Sequence, residues 1–354
     1  EETGGTSLSA ATARSIEVGN ANLIVRAGAG HRASKGVPLP SAASEDTQLR
    51  SEYLANLDGL RLNSDSRRAD GYLAARYMNE GGGWAALTTS VYGLDRGVPP
   101  EAHQDRPRFW RYPEQNRVLV ALSGGSGEQE TVTGVRSFEF SFGFDAGSSQ
   151  IDQYETESFS TVNGGEEADD RTITLRARGD HTLGARGDLR SAFTFSRIGR
   201  DEVVNGGDVA SYRQRLWGIG IESEWQMGDR DATRFSLGAA LDGSDTPQSG
   251  DKPQLNGLSD FGFRAGVSSL IQDGLVLHAN FSRRSRFPSL RELYSGALGR
   301  FVPNPELGVE TLLGSEGGLT LGADNSSLQV VGFYQRLKNG IVRSSVVGMD
   351  GIPR

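Results

Sequence analysis

Six residues in two long polar stretches have the types that a ligand-gripping surface needs. Arg108-Phe109-Trp110-Arg111-Tyr112-Pro113 sets two arginines among three aromatic rings. Arg286, Tyr294 and Arg300 repeat the combination more loosely over 286–309. Aromatic faces stack on flat groups and guanidinium forks pair with carboxylates or phosphates, so such a set can hold a flat, anionic ligand. A simpler reading stands beside it: Trp and Tyr also collect as a girdle at a membrane interface. On the ligand reading the contact residues are Arg108, Trp110, Tyr112, Arg286, Tyr294 and Arg300.

Other chemistry is not supplied. The four histidines, His31, His103, His181 and His278, are scattered without metal-ligand spacing. His278 alternates with polar strand residues and reads as part of a polar wall. Glu166, Glu167, Asp169 and Asp170 lack the spacing of a calcium loop and read as a solvated acidic loop. Nucleophile elbows, phosphate-binding loops and dinucleotide loops are missing. The chain therefore reads as a non-enzyme with no catalytic residues, no metal site and no cofactor. With no cysteine, disulfides and thiolate metal sites are excluded. A formal net charge of −8 argues against a nucleic-acid surface, which needs a basic stripe.

What would position the candidates is a set of strands. Phe138, Phe140, Phe142 and Phe144 alternate with Ser137, Glu139, Ser141, Gly143 and Asp145, the period of a strand with one apolar side. The same alternation runs through 171–178, 189–196, 217–226, 234–242, 261–268 and 275–282, and more weakly through 7–18, 22–33, 68–78, 84–95, 116–124, 319–321 and 328–334. That makes about 14 strands. Connections alternate in length: short near 19–21, 79–83, 180–187 and 271–274, long near 34–67, 96–115, 148–170, 200–210, 243–258 and 286–309. Short turns at one end and long loops at the other are the pattern of an outer-membrane barrel. Glu139, Asp145, Arg176, Arg178, Glu222, Glu224 and Arg264 recur on the polar sides. A small dry barrel would desolvate them badly, so the interior is wide, wet or plugged. Apolar runs of about 18 residues are lacking, which excludes a transmembrane helix and leaves strands as the way to cross.

The stretch 275–311 is the most informative. A strand leads to Arg286-Phe287-Pro288, then Ser289-Leu290-Arg291-Glu292 with capping-box spacing, so 289–294 reads as a short helical turn. Glu292-Leu293-Tyr294, then Asn304-Pro305-Glu306-Leu307 and Glu310, follow before strand pattern resumes. In order and spacing this resembles the late-barrel segment of TonB-dependent outer-membrane receptors. Val309 stands where that family usually has proline. The resemblance implies an all-β fold, an antiparallel transmembrane β-barrel meander, with 1–354 as an incomplete portion of a barrel of about 22 strands. The plug domain and C-terminal strands lie outside it. It also implies TonB-energised uptake of a scarce nutrient, such as a ferric siderophore or cobalamin, across the bacterial outer membrane. The implied partners are the TonB complex (through the plug), a metal-chelate or other small ligand, and outer-membrane lipid, with no nucleic acid. A passive porin-like channel and a soluble all-β surface or carbohydrate-binding protein are the alternatives that the alternation alone leaves open.

Overall fold

The computed structural model describes residues 4–40, 43, 49–56, 58–228, 232–294, 302–323 and 325–342. Among them the chain runs β1 (Thr6–Val18), β2 (Ala21–Ser34), β3 (Ser66–Asn79), β4 (Trp84–Val98), β5 (Trp110–Gly125), β6 (Gln129–Thr131), β7 (Gly134–Tyr154), β8 (Val162–Leu183), β9 (Gly187–Val204) and β10 (Ala210–Met227). It continues through β11 (Thr233–Ser249), β12 (Leu258–Gln272), β13 (Leu275–Arg286), the short helix α1 (Leu290–Leu293), β14 (Glu310–Ala323) and β15 (Ser326–Lys338). Every strand pairs antiparallel with its neighbour in sequence, except that β5 pairs β7 and the three-residue β6 hangs off β7 as a hairpin. The result is one antiparallel meander, the fold class read from the sequence. Among the described residues its end strands, β1 and β15, have one partner each.

Register turns the alternation of single strands into one continuous apolar face. Ile219 lies opposite Leu241 of β11 and Phe193 of β9. Phe193 faces Ala177 of β8, which faces Phe140 of β7. The same face runs on through Phe142, Leu122, Leu87, Ala75 and Val25 toward β1. In the other direction it passes Phe261, Phe263 and Phe281 to Leu319 and Val330. This face is bare: Phe138 is 53% exposed, Ile219 56% and Phe261 55%. So much contiguous apolar surface needs a cover, and lipid hydrocarbon is the one that suits a barrel's outer wall. Tryptophans mark its two margins on β10. The ring of Trp217 lies across Gly243 and that of Trp225 across Gly187, where any Cβ would collide with the indole.

The opposite face carries the charges in pairs. Arg178 donates to Asp180 at 2.8 Å, Arg234 lies 3.1 Å from Glu224, and Arg190 lies 3.6 Å from Glu222, which also accepts from Arg264. Charges this numerous stay ionised only beside water or a polar partner, as in a wide lumen.

Many strands run past their sequence bounds, and the longest extensions are at the long-connection end. β7 has 21 residues and β8 has 22, where alternation marks only 137–145 and 171–178. Beyond the apolar band both faces are polar, so the hydrophobic period vanishes while the backbone ladder continues. Two expectations are corrected for this reason. Trp110 and Tyr112 stand on β5 rather than in a loop, and Glu166–Asp170 belong to β8 rather than to a solvated acidic loop. The alternation of connection lengths survives the shortening in most places: residues 184–186 join β8 to β9, whereas 250–257 join β11 to β12 and 287–309 lead to β14; the exception is 205–209 between β9 and β10, no longer than 228–232 between β10 and β11.

Candidate functional site

The candidate residues fall into two clusters at the long-connection end. In the first, β5 begins at Trp110, anchored by the loop before β3. Asn63 takes a left-handed turn at φ 52° and donates to the Val98 carbonyl at 2.9 Å and the Trp110 carbonyl at 2.7 Å. Gly97 makes this approach possible, because a Cβ there would strike the Asn63 backbone and side chain. Arg111 is the hub. It donates to both oxygens of Asp65 at 3.0 and 2.6 Å, to Asp95 at 2.9 Å and to the Asn63 side-chain oxygen at 3.2 Å. The Arg111 guanidinium holds the Asp65 carboxyl below the usual carboxylate range, outweighing the effect of burial.

Around this hub, cations stack on rings. Arg108 lies 4.8 Å from the Trp110 ring and Arg96 lies 4.7 Å from that of Tyr112. Arg108 is also paired with Glu101, which accepts the Arg108 backbone N–H at 2.9 Å. Burial works to raise the Glu101 carboxyl, but the Arg108 guanidinium and N–H together bring it below its ordinary value. A chain of edge-on rings lines the cluster: Tyr53 to Phe109 at 5.6 Å, Phe109 to Phe159 at 6.0 Å and Phe159 to Tyr154 at 5.4 Å. Edge-to-face geometry gives each pair a favourable quadrupole contact.

The second cluster forms where the chain leaves β13. Ser289 caps α1: its hydroxyl accepts the Glu292 N–H at 3.4 Å while the Glu292 carboxylate accepts the Ser289 N–H at 2.8 Å, the capping box expected from the sequence. Arg286, exposed, pairs with the same carboxylate and lies 4.0 Å from Glu310. Burial would raise Glu292; the Ser289 N–H and Arg286 overcome it and hold the carboxyl low. The excursion then folds onto the polar face. Leu293 and Tyr294 are fully buried there. Tyr294 stacks on Tyr212 of β10, with ring centroids 5.9 Å apart and planes at 5°, and its hydroxyl sits 2.8 Å from the Thr246 hydroxyl while accepting the Leu255 N–H at 2.9 Å. Gln214 donates to Ser244 at 3.1 Å and to the Pro288 carbonyl at 2.8 Å. Beside this core Arg200 bridges Glu166 at 2.5 Å, Glu202 at 2.8 Å and Asp170 at 2.9 Å. Burial dominates at Glu166 and pushes its carboxyl up despite Arg200.

The structure thus joins Arg108, Trp110 and Tyr112 on one side and Arg286 and Tyr294 on another, with six strands between β5 and β13 in the sheet order. Arg300 lies outside the described residues. Tyr294 has no accessible surface, so in this conformation it packs the mouth rather than presenting a face to solvent. Arg111 and Tyr212 are the residues that reading by type did not single out. Arg111 sat in the quoted run, but its partners Asp65 and Asp95 are 46 and 16 residues away in sequence. Among the described residues no group of three or more His, Asp or Glu side chains is arranged to hold a metal ion.

An antiparallel meander with an apolar face, a charged opposite face and a helical turn packed against the polar side is the architecture of part of a membrane β-barrel wall. The family model for TonB-dependent receptor-like β-barrels matches residues 26–353, and the chain belongs to that family. Solved structures agree in fold. The copper transporter OprC superposes with a TM-score of 0.68 at 14% identity, over 98% of this chain and 56% of that one. The FrpB iron transporter from Neisseria meningitidis gives 0.66 at 12%, over 95% and 54%. The ferric enterobactin receptor PfeA from Pseudomonas aeruginosa gives 0.62 at 12%, over 94% and 53%. The chain thus spans little more than half the length of these structures. No curated protein sequence matches it.

Proposed function

We propose that this chain is barrel wall from an outer-membrane receptor that takes up a scarce nutrient by TonB-energised transport, with an anionic metal chelate such as a ferric siderophore as the substrate class. The observation that carries the reading is the Arg108–Trp110 and Arg96–Tyr112 stacking beside Arg111, at the mouth of a barrel of this family. Copper, iron and ferric enterobactin are the cargoes named for the similar structures. The two candidate arginines among the described residues already hold a carboxylate, Glu101 for Arg108 and Glu292 for Arg286. An anionic ligand would take over such a pair, exchanging one carboxylate partner for another while the aromatic rings supply the flat contact. The TonB complex would act through the plug, and lipid would surround the wall.

In the full-length receptor, Trp110→Ala or Arg286→Ala is expected to weaken binding of ferric siderophores about tenfold without lowering surface expression, the loss of one stacked or charge-assisted contact. Isothermal titration against a siderophore panel checks this. Unchanged affinity for every chelate in both variants would return these residues to a girdle or packing role.

A further inference from the structure

One ladder in the sheet stops before its strands do. β12 starts at Leu258, paired with Ser244 of β11, and β13 ends at Arg286, paired with Glu310 of β14. Between β12 and β13, however, the register ends at Phe263 opposite Arg283. Residues 258–262 and 284–286 therefore continue as strands with no ladder across the gap. Among the described residues, every other ladder at the long-connection end runs on until one of its strands ends. Side chains close this seam instead. Arg283 donates to both Asp260 oxygens at 2.9 Å and to the Phe261 carbonyl. Asp260 also accepts the Phe261 N–H at 2.9 Å and the Ser285 hydroxyl at 2.6 Å, with the Thr311 hydroxyl at 3.5 Å. One carboxylate thus gathers donors from β12, β13 and β14. A second link crosses above it: Tyr294, at the end of α1, contacts Tyr212 of β10 and Thr246 of β11, both beyond β12 in the sheet order. Behind the seam the polar face is open, with a cavity of about 490 Å³ lined there by Asp242, Gly262, Arg284 and Ser285.

We propose that this seam is a gate in the wall itself: above Phe263 and Arg283 the ends of β13 and β14 swing away from β12 as one unit with α1, and Asp260 is the latch. Parting two paired strands breaks backbone hydrogen bonds row by row and leaves N–H and C=O groups without partners. Here there is no ladder to break, and water at the mouth can take over each donor that Asp260 releases. The β13–β14 ladder is complete up to Arg286 and Glu310, so those two ends move together. Local opening of this kind belongs to segments held by few backbone bonds, and hinges fall where a regular element loses its pairing. The swing draws Tyr294 off Tyr212 and uncovers a ring that the closed form buries completely. Tyr294 is therefore available to a ligand only when the gate is open, and a ligand that stacks on it favours opening. That last step rests on the ligand reading proposed above, whereas the gate does not.

Distances between spin labels in the full-length receptor, in bilayers and without ligand, test the gate. Labels at Val209→Cys and Lys338→Cys report across the seam, because Lys338 pairs with Thr311 of β14. Labels at Val209→Cys and Asp251→Cys report within the β9–β12 side. All three positions are exposed. Asp260→Asn loses the charge-assisted contacts and is expected to raise the longer-distance population across the seam about tenfold. Ser285→Ala keeps the Arg283 pair, loses one neutral donor and is expected to raise it about threefold, which carries the test if Asp260→Asn fails to assemble. The Val209–Asp251 distance is expected to stay the same in both. A cross-seam distance that neither variant changes, or equal broadening of the two label pairs, would overturn the gate. An Asp260→Asn gate that opens while Trp110→Ala and Arg286→Ala bind every ferric siderophore as the parent does would uphold the gate and overturn only the ligand reading.

Discussion

Replacing Phe140 by arginine is expected to block assembly of the full-length barrel, while Ser141→Arg, one residue along, is expected to leave it folded. Phe140 is 44% exposed on the apolar face, flanked in register by Ala177 and Gly124. Ser141 points the other way, opposite Arg176 and Ser123. An arginine on the lipid face costs about 2–4 kcal/mol at the bilayer midplane, whereas the inner face already carries Arg176 and Arg178 beside water. Heat-modifiable migration of the receptor from the outer membrane reports assembly. Equal tolerance of the two substitutions would remove the facing assignment on which the barrel rests.

Tyr294→Ala is expected to release the excursion from the mouth while leaving the sheet intact. The ring is fully buried against Tyr212, and its hydroxyl accepts the Leu255 N–H. Deleting a buried aromatic costs about 3–5 kcal/mol. Tyr294→Phe keeps the ring and loses only the hydroxyl contacts, worth about 1 kcal/mol each. Limited proteolysis is therefore expected to cut within 287–309 in Tyr294→Ala, leave Tyr294→Phe protected, and spare β10 and β11, whose ladder does not depend on the loop. Protection of Tyr294→Ala equal to the parent would show that the packing of α1 contributes little to holding the loop.

The two variants probe different degrees of legibility in the sequence. Phe140 could be read directly, because a face in contact with lipid imposes strict alternation on nine consecutive residues, 137–145. The capping box of α1 was equally plain, since it is a local hydrogen-bond pattern within four residues. Burial of Tyr294 was not. Its partners Tyr212 and Thr246 lie far away in sequence, and an aromatic beside arginines looks the same whether it faces a ligand or a core. Nor were the upper halves of β7 and β8 legible, because above the membrane neither face is apolar and only the backbone ladder defines the strand. The Arg111 hub was hidden for a third reason: a charged side chain gains its meaning from carboxylates that three separate segments bring together.

The central claim is that the phenylalanine face meets lipid and its opposite meets water. Single cysteines at each position from 137 to 145 are clean probes, because the chain has no cysteine of its own. Spin-labelled in the full-length receptor in bilayers, they can be relaxed by oxygen, which concentrates in hydrocarbon, or by a water-soluble nickel chelate. Oxygen accessibility is predicted to peak at 138, 140, 142 and 144, and nickel accessibility at 137, 139, 141, 143 and 145. Profiles that rise and fall together, or nickel maxima at the phenylalanine positions, would contradict the membrane barrel.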